Sequence, residues 1–253
     1  MSHIDVLEGR ANWHVEHAPR AMDVLRALPA ASVDVIPTDP PYATTGESTA
    51  WVSKDKVRSL PRETQFYEAW IREYLAEFRR ILKPTGGIWM SCDWAAAMAI
   101  DQACPRVGLR APTIGVWDRE GLGMGYVLRH VYECFAVITM PEWERIYTDE
   151  PDVWRCKWTP SDRTMGHSAE KPVPLMARAI RLLARPGGVA LDPFSGSGTT
   201  GVAALREGLR YIGIERDDGF VVLQRDRLSA EQMGSDVKAK RSGQEALNFG
   251  GSQ

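Results

Sequence analysis

Cysteine is scarce in this chain: Cys92, Cys104, Cys134 and Cys156 are widely spaced, with no C-x-x-C pair and no histidine at zinc spacing. That pattern argues against a disulfide framework or a metal module, and reduced, mostly buried thiols of a cytoplasmic protein are expected. No apolar run approaches the length of a membrane span, and no charged-then-apolar leader opens the sequence, so neither membrane insertion nor secretion is expected. Neither sign of charge is in excess. The 31 Lys and Arg stand against 33 Asp and Glu, a net of −2, so a polyanionic partner would have to meet a local basic surface. What the chain does have is 253 residues at 44% hydrophobic and 25% charged, enough to bury one full core. A single domain over 1–232 is expected, followed by a polar, Gly/Ser-rich tail at 233–253 that reads as disordered.

Periodicity divides that domain into alternating elements. Apolar residues at three- and four-residue spacing predict helices over 21–28, 66–82, 94–103, 174–184, 201–207 and 217–232. Short apolar or β-branched runs predict strands over 33–36, 88–91, 113–117, 131–139, 189–191 and 211–215. Helix, glycine turn and strand recur at Lys83-Pro84-Thr85-Gly86-Gly87 and at Pro186-Gly187-Gly188, the mark of a mostly parallel α/β sheet. The strands 113–117 and 131–139 read as an antiparallel hairpin. Residues 1–20 show no period, and their histidines, including His14 and His17, are expected to be solvated. Pro37 removes a ladder donor, so the sheet is expected to open there.

Two long stretches stay aperiodic. One, at 43–65, carries Trp51, Lys54, Lys56 and Arg58 and reads as a mobile loop over a substrate or as a merely solvated one. The other, at 140–166, interleaves Trp143, Trp154 and Trp158 with Arg155, Lys157 and Arg163. Such interleaving suits contacts to a nucleic acid, and a cross-packed loop fits equally well.

Asp39-Pro40-Pro41-Tyr42 follows the strand 33–36, at the strand edge where open α/β sheets bind ligands. An exocyclic amine on a nucleobase is a poor nucleophile because its lone pair is delocalised into the ring. Asp39 and the Pro40 carbonyl can accept hydrogen bonds from such an amine and free the lone pair. Prolines fix φ and offer no competing N–H, and Tyr42 offers a ring on which an extruded base can stack. Far downstream, Asp192-Pro193-Phe194-Ser195-Gly196-Ser197-Gly198-Thr199-Thr200 runs from strand into helix, and Glu215 ends the next strand. Gly196 and Gly198 let backbone approach a ligand closely, and Glu215 can accept both hydroxyls of a ribose. The string also matches the dinucleotide pattern G-x-G-x-x-G, a weak signal alone. Asp192 would repel a pyrophosphate yet suits the ammonium end of S-adenosylmethionine.

These two motifs, in this order, resemble the DNA amino-methyltransferases, and specifically their circularly permuted β group, from about Ala21 to the helix after Glu215. The resemblance implies a Rossmann-like methyltransferase fold, S-adenosylmethionine as cofactor and double-stranded DNA as partner. It assigns catalysis to Asp39, Pro40, Pro41 and Tyr42. Cofactor contacts fall to Asp192, Phe194, Ser195, Gly196, Ser197, Gly198, Thr199, Thr200 and Glu215, with the element His167 to Pro172 placing Lys171 near the methionine end. Stretches 43–65 and 140–166 become the substrate loop and a small DNA-recognition insertion, with Trp51, Lys54, Lys56, Arg58, Arg155, Lys157 and Arg163 as candidate DNA contacts. Ala169 stands where the family often has threonine, and Pro19-Arg20 where it has Gly-Asp. No Pro-Cys dipeptide occurs, which disfavours cysteine-mediated methylation of a ring carbon. Aspartate at position 39 leans toward adenine N6, with cytosine N4 as the alternative. The family includes homodimers and partners of restriction enzymes; no metal is implied.

Overall fold

A computed structural model describes residues 2–42, 64–123, 127–146, 149–157 and 170–234. Among the described residues, eight strands form one sheet in the order β1-β8-β7-β2-β3-β5-β4-β6. They are β1 (Trp13–His17), β2 (Val33–Thr38), β3 (Leu82–Cys92), β4 (Thr113–Asp118), β5 (Tyr132–Thr139), β6 (Val153–Arg155), β7 (Val189–Asp192) and β8 (Arg210–Glu215). The strands β1, β8, β7, β2 and β3 run parallel, while β5 is antiparallel to both β3 and β4. The parallel sheet with an antiparallel hairpin expected from the sequence is therefore what forms.

Helices α1 (His3–Leu7), α2 (Ala21–Ala27), α3 (Thr64–Ile81) and α4 (Trp94–Arg106) cover one face, and α5 (Val173–Leu183), α6 (Thr199–Arg206) and α7 (Asp218–Gln232) the other. Because alternate strand residues point to opposite faces, Ile212 and Ile214 of β8 join the first core and Tyr211 the second. The same alternation puts Ile88 and Met90 of β3 on one side and Trp89 on the other. In α3, Tyr67, Ile71, Leu75, Phe78 and Ile81 are fully buried at helical spacing. The neighbouring stripe, Trp70 and Tyr74, turns toward Phe194, with ring centroids 5.9 and 5.2 Å away.

Several local expectations are corrected. The stretch 1–20 holds α1 and the edge strand β1; its period is hidden because only Val15 of β1 is buried. His14 Nε2 lies 2.8 Å from Glu16 Oε2 and is half-buried, not simply solvated. Pro37 does not interrupt pairing with β3, where it faces Trp89; toward β7 the ladder is reduced to Val35 opposite Ala190. A proline tolerated on one side of a strand fits its single missing N–H. Pro105 is taken into the last turn of α4 instead of ending it, and 64–65, at the end of the expected loop, begin α3.

Within the expected insertion, β6 adds to the sheet beside β4. Trp154 is 1% exposed and packs with Trp89 and Phe135, capped by the Arg178 guanidinium 4.6 Å from its ring. Its indole N–H donates to the Pro151 carbonyl at 2.9 Å. This part of 140–166 is core. No helix among the described residues is long and apolar enough to cross a membrane. Replacing Trp154 by alanine should cost about 3–5 kcal/mol in urea unfolding, the usual penalty for emptying a buried indole site; a loss below about 1 kcal/mol would place β6 outside the cooperative core.

Candidate active site

The carboxyl ends of the parallel strands share one edge. There β2 delivers Thr38 and Asp39, β3 Ser91, β7 Asp192 and β8 Glu215. Since β5 runs the other way, with Cys134 opposite Cys92, it brings Glu133 to the same edge at its beginning. The two motifs, about a hundred and fifty residues apart, meet directly. Thr38 Oγ1 donates to Asp192 Oδ1 at 2.7 Å, and Thr200 Oγ1 donates to Asp192 Oδ2 at 2.6 Å. The Phe194 N–H adds a third bond at 3.1 Å. Burial pushes the Asp192 carboxyl up to about 6 despite these bonds, and the Asp39 charge adds to the rise.

Around Asp39 the side chains form a compact charged cluster. Lys171 Nζ donates to Asp39 Oδ2 at 2.7 Å and lies 3.2 Å from Glu133 Oε2. The Tyr42 hydroxyl sits 3.0 Å from Asp39 Oδ1, 2.9 Å from Glu133 Oε2, 2.5 Å from Ser91 Oγ and 3.2 Å from Lys171 Nζ. Having one proton, it donates to one carboxylate at a time and accepts from the ammonium. Arg119 Nη1 closes the cluster on Glu133 Oε1 at 3.2 Å. Burial works against the Lys171 ammonium, but the Asp39 and Glu133 carboxylates outweigh it and hold its pKa above the ordinary lysine value. Burial, then the same two charges, raises the Tyr42 phenol well above its usual range.

The glycine turn is braced from behind. Ser195 N–H and Oγ both donate to the Ile214 carbonyl, Gly196 N–H donates to Glu215 Oε2 at 2.9 Å, and Gln224 Nε2 donates to the Gly196 carbonyl at 2.8 Å. Gly198 adopts φ +81°, and a Cβ there would lie 2.8 Å from Gln224 Cγ, so glycine is required on both counts. Arg227 donates to Glu170 Oε1, the Ser197 carbonyl and Thr199 Oγ1. Thus Glu170 faces the glycine turn while its neighbour Lys171 faces Asp39.

As a ligand cradle, this turn offers the half-buried Glu215 carboxylate and an aromatic wall at Phe194. Asp192 lies behind it, buried and bonded to Thr38, Thr200 and the Phe194 N–H, and the nearby cations Arg227 and Lys171 are already paired with carboxylates. That donor set suits a cationic, ribose-bearing ligand and is poor for a pyrophosphate. Sequence reading did not single out Glu133, Ser91, Glu170, Gln224 or Arg227. The only local signal was a lone acid in the apolar run 131–139 and polar residues on the inner side of the last helix. Arg155 and Lys157 are exposed, with Asp118, opposite Arg155 in the register, beside Tyr132 of β5. Trp51, Lys54, Lys56, Arg58, Arg163 and His167 lie outside the described residues, as do 43–63 and 235–253. Among the described residues, no cluster of His, Cys, Asp and Glu is built to hold a metal.

Asp192 makes a pH prediction. A carboxyl whose pKa rises on folding, here from 3.8 to about 6, lets the folded form bind the extra proton in between, so stability falls as pH climbs through that window. The fall amounts to roughly 3 kcal/mol, and Asp192→Asn should remove it. Urea unfolding of both proteins from pH 4 to 7.5 tests this; parallel pH profiles would show that Asp192 titrates normally.

Comparisons with known proteins place the chain in a family. A family model described as DNA methylase matches residues 33–224. The Type II methyltransferase M2.DpnII of Streptococcus pneumoniae is 29% identical over 239 residues, covering 82% of this chain and 86% of that protein. M2.MboI of Moraxella bovis is 27% identical over 224 residues, covering 78% and 80%. Among solved structures, the M1.HpyAVI–SAM complex superposes with a TM-score of 0.65 at 21% identity over 85% of this chain and all of that one. The cytosine-N4-specific PvuII DNA methyltransferase reaches 0.68 at 18% identity over 93% and 94%. With a family model spanning most of its length and both motifs at one sheet edge, the chain belongs to the N6/N4 DNA methylase family.

Proposed function

We propose that the protein transfers a methyl group from S-adenosylmethionine to the exocyclic N6 of adenine in double-stranded DNA, at a specific sequence. The observation that carries this is the joint between Thr38 and Asp192, which sets the Asp39 turn beside the glycine turn. When bound, the cofactor supplies a methyl carbon made electrophilic by the sulfonium next to it. The chain's own part is to prepare the amine. Asp39 and the Pro40 carbonyl accept hydrogen bonds from its two N–H groups, which localises the nitrogen lone pair for in-line attack. A proton then leaves the methylated amine toward Asp39 Oδ1 or Oδ2. The ring of Tyr42, its hydroxyl anchored among Asp39, Ser91 and Glu133, is the platform for the extruded base.

Arg155 and Lys157, exposed near this edge, reach phosphates of the duplex. Cytosine N4 is the second reading, favoured by the likeness in fold to the PvuII enzyme and by the similar hydrogens the two amines offer. The test is mass spectrometry of nucleosides from unmethylated DNA incubated with the protein and labelled cofactor. N6-methyladenine is expected; N4-methylcytosine would move the assignment to the second reading. Asp39→Ala should lower transfer at least about a thousandfold while S-adenosylhomocysteine still binds. Methylation at the normal rate by that variant would remove Asp39 from the mechanism.

A further inference from the structure

We propose that Glu133 is a positioning residue that keeps Asp39 negatively charged toward the amine by taking a share of the Lys171 ammonium. The inference rests on the methyltransferase reading above and deepens it. Lys171, with 9% of its side chain exposed, lies 2.7 Å from Asp39. Left alone, so close a pair would neutralise the carboxylate that must meet the amine. Glu133 Oε2 is a second carboxylate oxygen on the same ammonium at 3.2 Å, and Arg119 holds its other oxygen at 3.2 Å.

The four side chains are thus two anions and two cations, with Lys171 between the anions and Arg119 on the far side of Glu133 from it. As the amine attacks, positive charge develops on its nitrogen. A cluster of zero net charge with Asp39 nearest the amine favours that charge, whereas a cluster of net +1 opposes it. Glu133 is ionised: burial acts against its charge, but Lys171 and then Arg119 hold its pKa below the usual range. The sheet fixes its place, since Glu133 pairs in register with Trp117 on one side and its neighbour Cys134 with Cys92 on the other. Its second task, accepting from the Tyr42 hydroxyl at 2.9 Å, needs an acceptor oxygen but no charge.

Glu133→Gln separates the two tasks, because the amide keeps the volume and one acceptor oxygen. Single-turnover methyl transfer to unmethylated DNA, at saturating DNA and cofactor, should fall roughly tenfold to hundredfold. The S-adenosylhomocysteine affinity by calorimetry should stay close to that of the unaltered protein, while the melting temperature falls because Lys171 and Arg119 lose a counter-charge. Glu133→Asp should be faster than Glu133→Gln. Adding Arg119→Gln to Glu133→Gln removes the surplus positive charge and should regain part of the rate, which a packing defect would not do. Transfer at the normal rate by Glu133→Gln, or losses in the double variant that simply multiply, would overturn the proposal. Failure of the unaltered protein to methylate any DNA would instead strike the methyltransferase reading itself.

Discussion

Asp192 stands at the end of β7 with Thr38 of β2 on one oxygen and Thr200 of α6 on the other, and the geometry of the site follows from that arrangement. Each bond fixes a different half. Through Thr38 the carboxylate sets the depth of the Asp39 turn, and through Thr200 it sets the first turn of the helix that the glycines lead into. A buried carboxylate with several donors is rigid because no other partner is available to either side. Burial and these bonds pull its pKa in opposite directions, and burial prevails, lifting it to about 6.

A second tie crosses the same gap. Glu170 and Lys171 are consecutive, yet one is held by Arg227 and Thr199 behind the glycine turn and the other by Asp39 and Glu133. Two adjacent residues facing different halves convert the entry into α5 into a clamp. Arg227 and Gln224 extend it by bonding the Ser197 and Gly196 carbonyls, so α7 governs the turn without belonging to either motif. A change on α7 can therefore alter the glycine turn through backbone position alone.

Both motifs were legible because each is local. Asp39-Pro40-Pro41-Tyr42 and the glycine turn carry their chemistry within a few consecutive residues, and the helices of the parallel unit announce themselves by period. Glu133 was not legible for the opposite reason. It reaches the site only because β5 runs antiparallel beside β3, a pairing that no local pattern states. The same limit hid β1 and β6, edge strands with too few buried residues to show alternation. Composition left Trp154 open between a nucleic-acid contact and a cross-packed loop, and the packed reading holds for it, since its ring completes the core with Trp89 and Phe135.

Three carboxylates, Asp39, Glu133 and Asp192, crowd an edge that the proposed function brings against a polyanion. Each is relieved differently. Asp192 is desolvated and bonded to hydroxyls, Glu133 shares two cations, and Asp39 keeps one. Were all three matched one-to-one by cations, their oxygens would be taken up in ion pairs and offer no acceptor to an amine. Were none matched, the edge would repel the duplex outright. The two cations come from the end of β4 and the entry to α5, Arg119 on Glu133 and Lys171 between Glu133 and Asp39. The proposed function leaves attraction of the duplex to exposed residues farther along the edge, such as Arg155 and Lys157. Such a division of labour is what the proposed function asks of a chain of net charge −2, whose attraction for a polyanion has to be local.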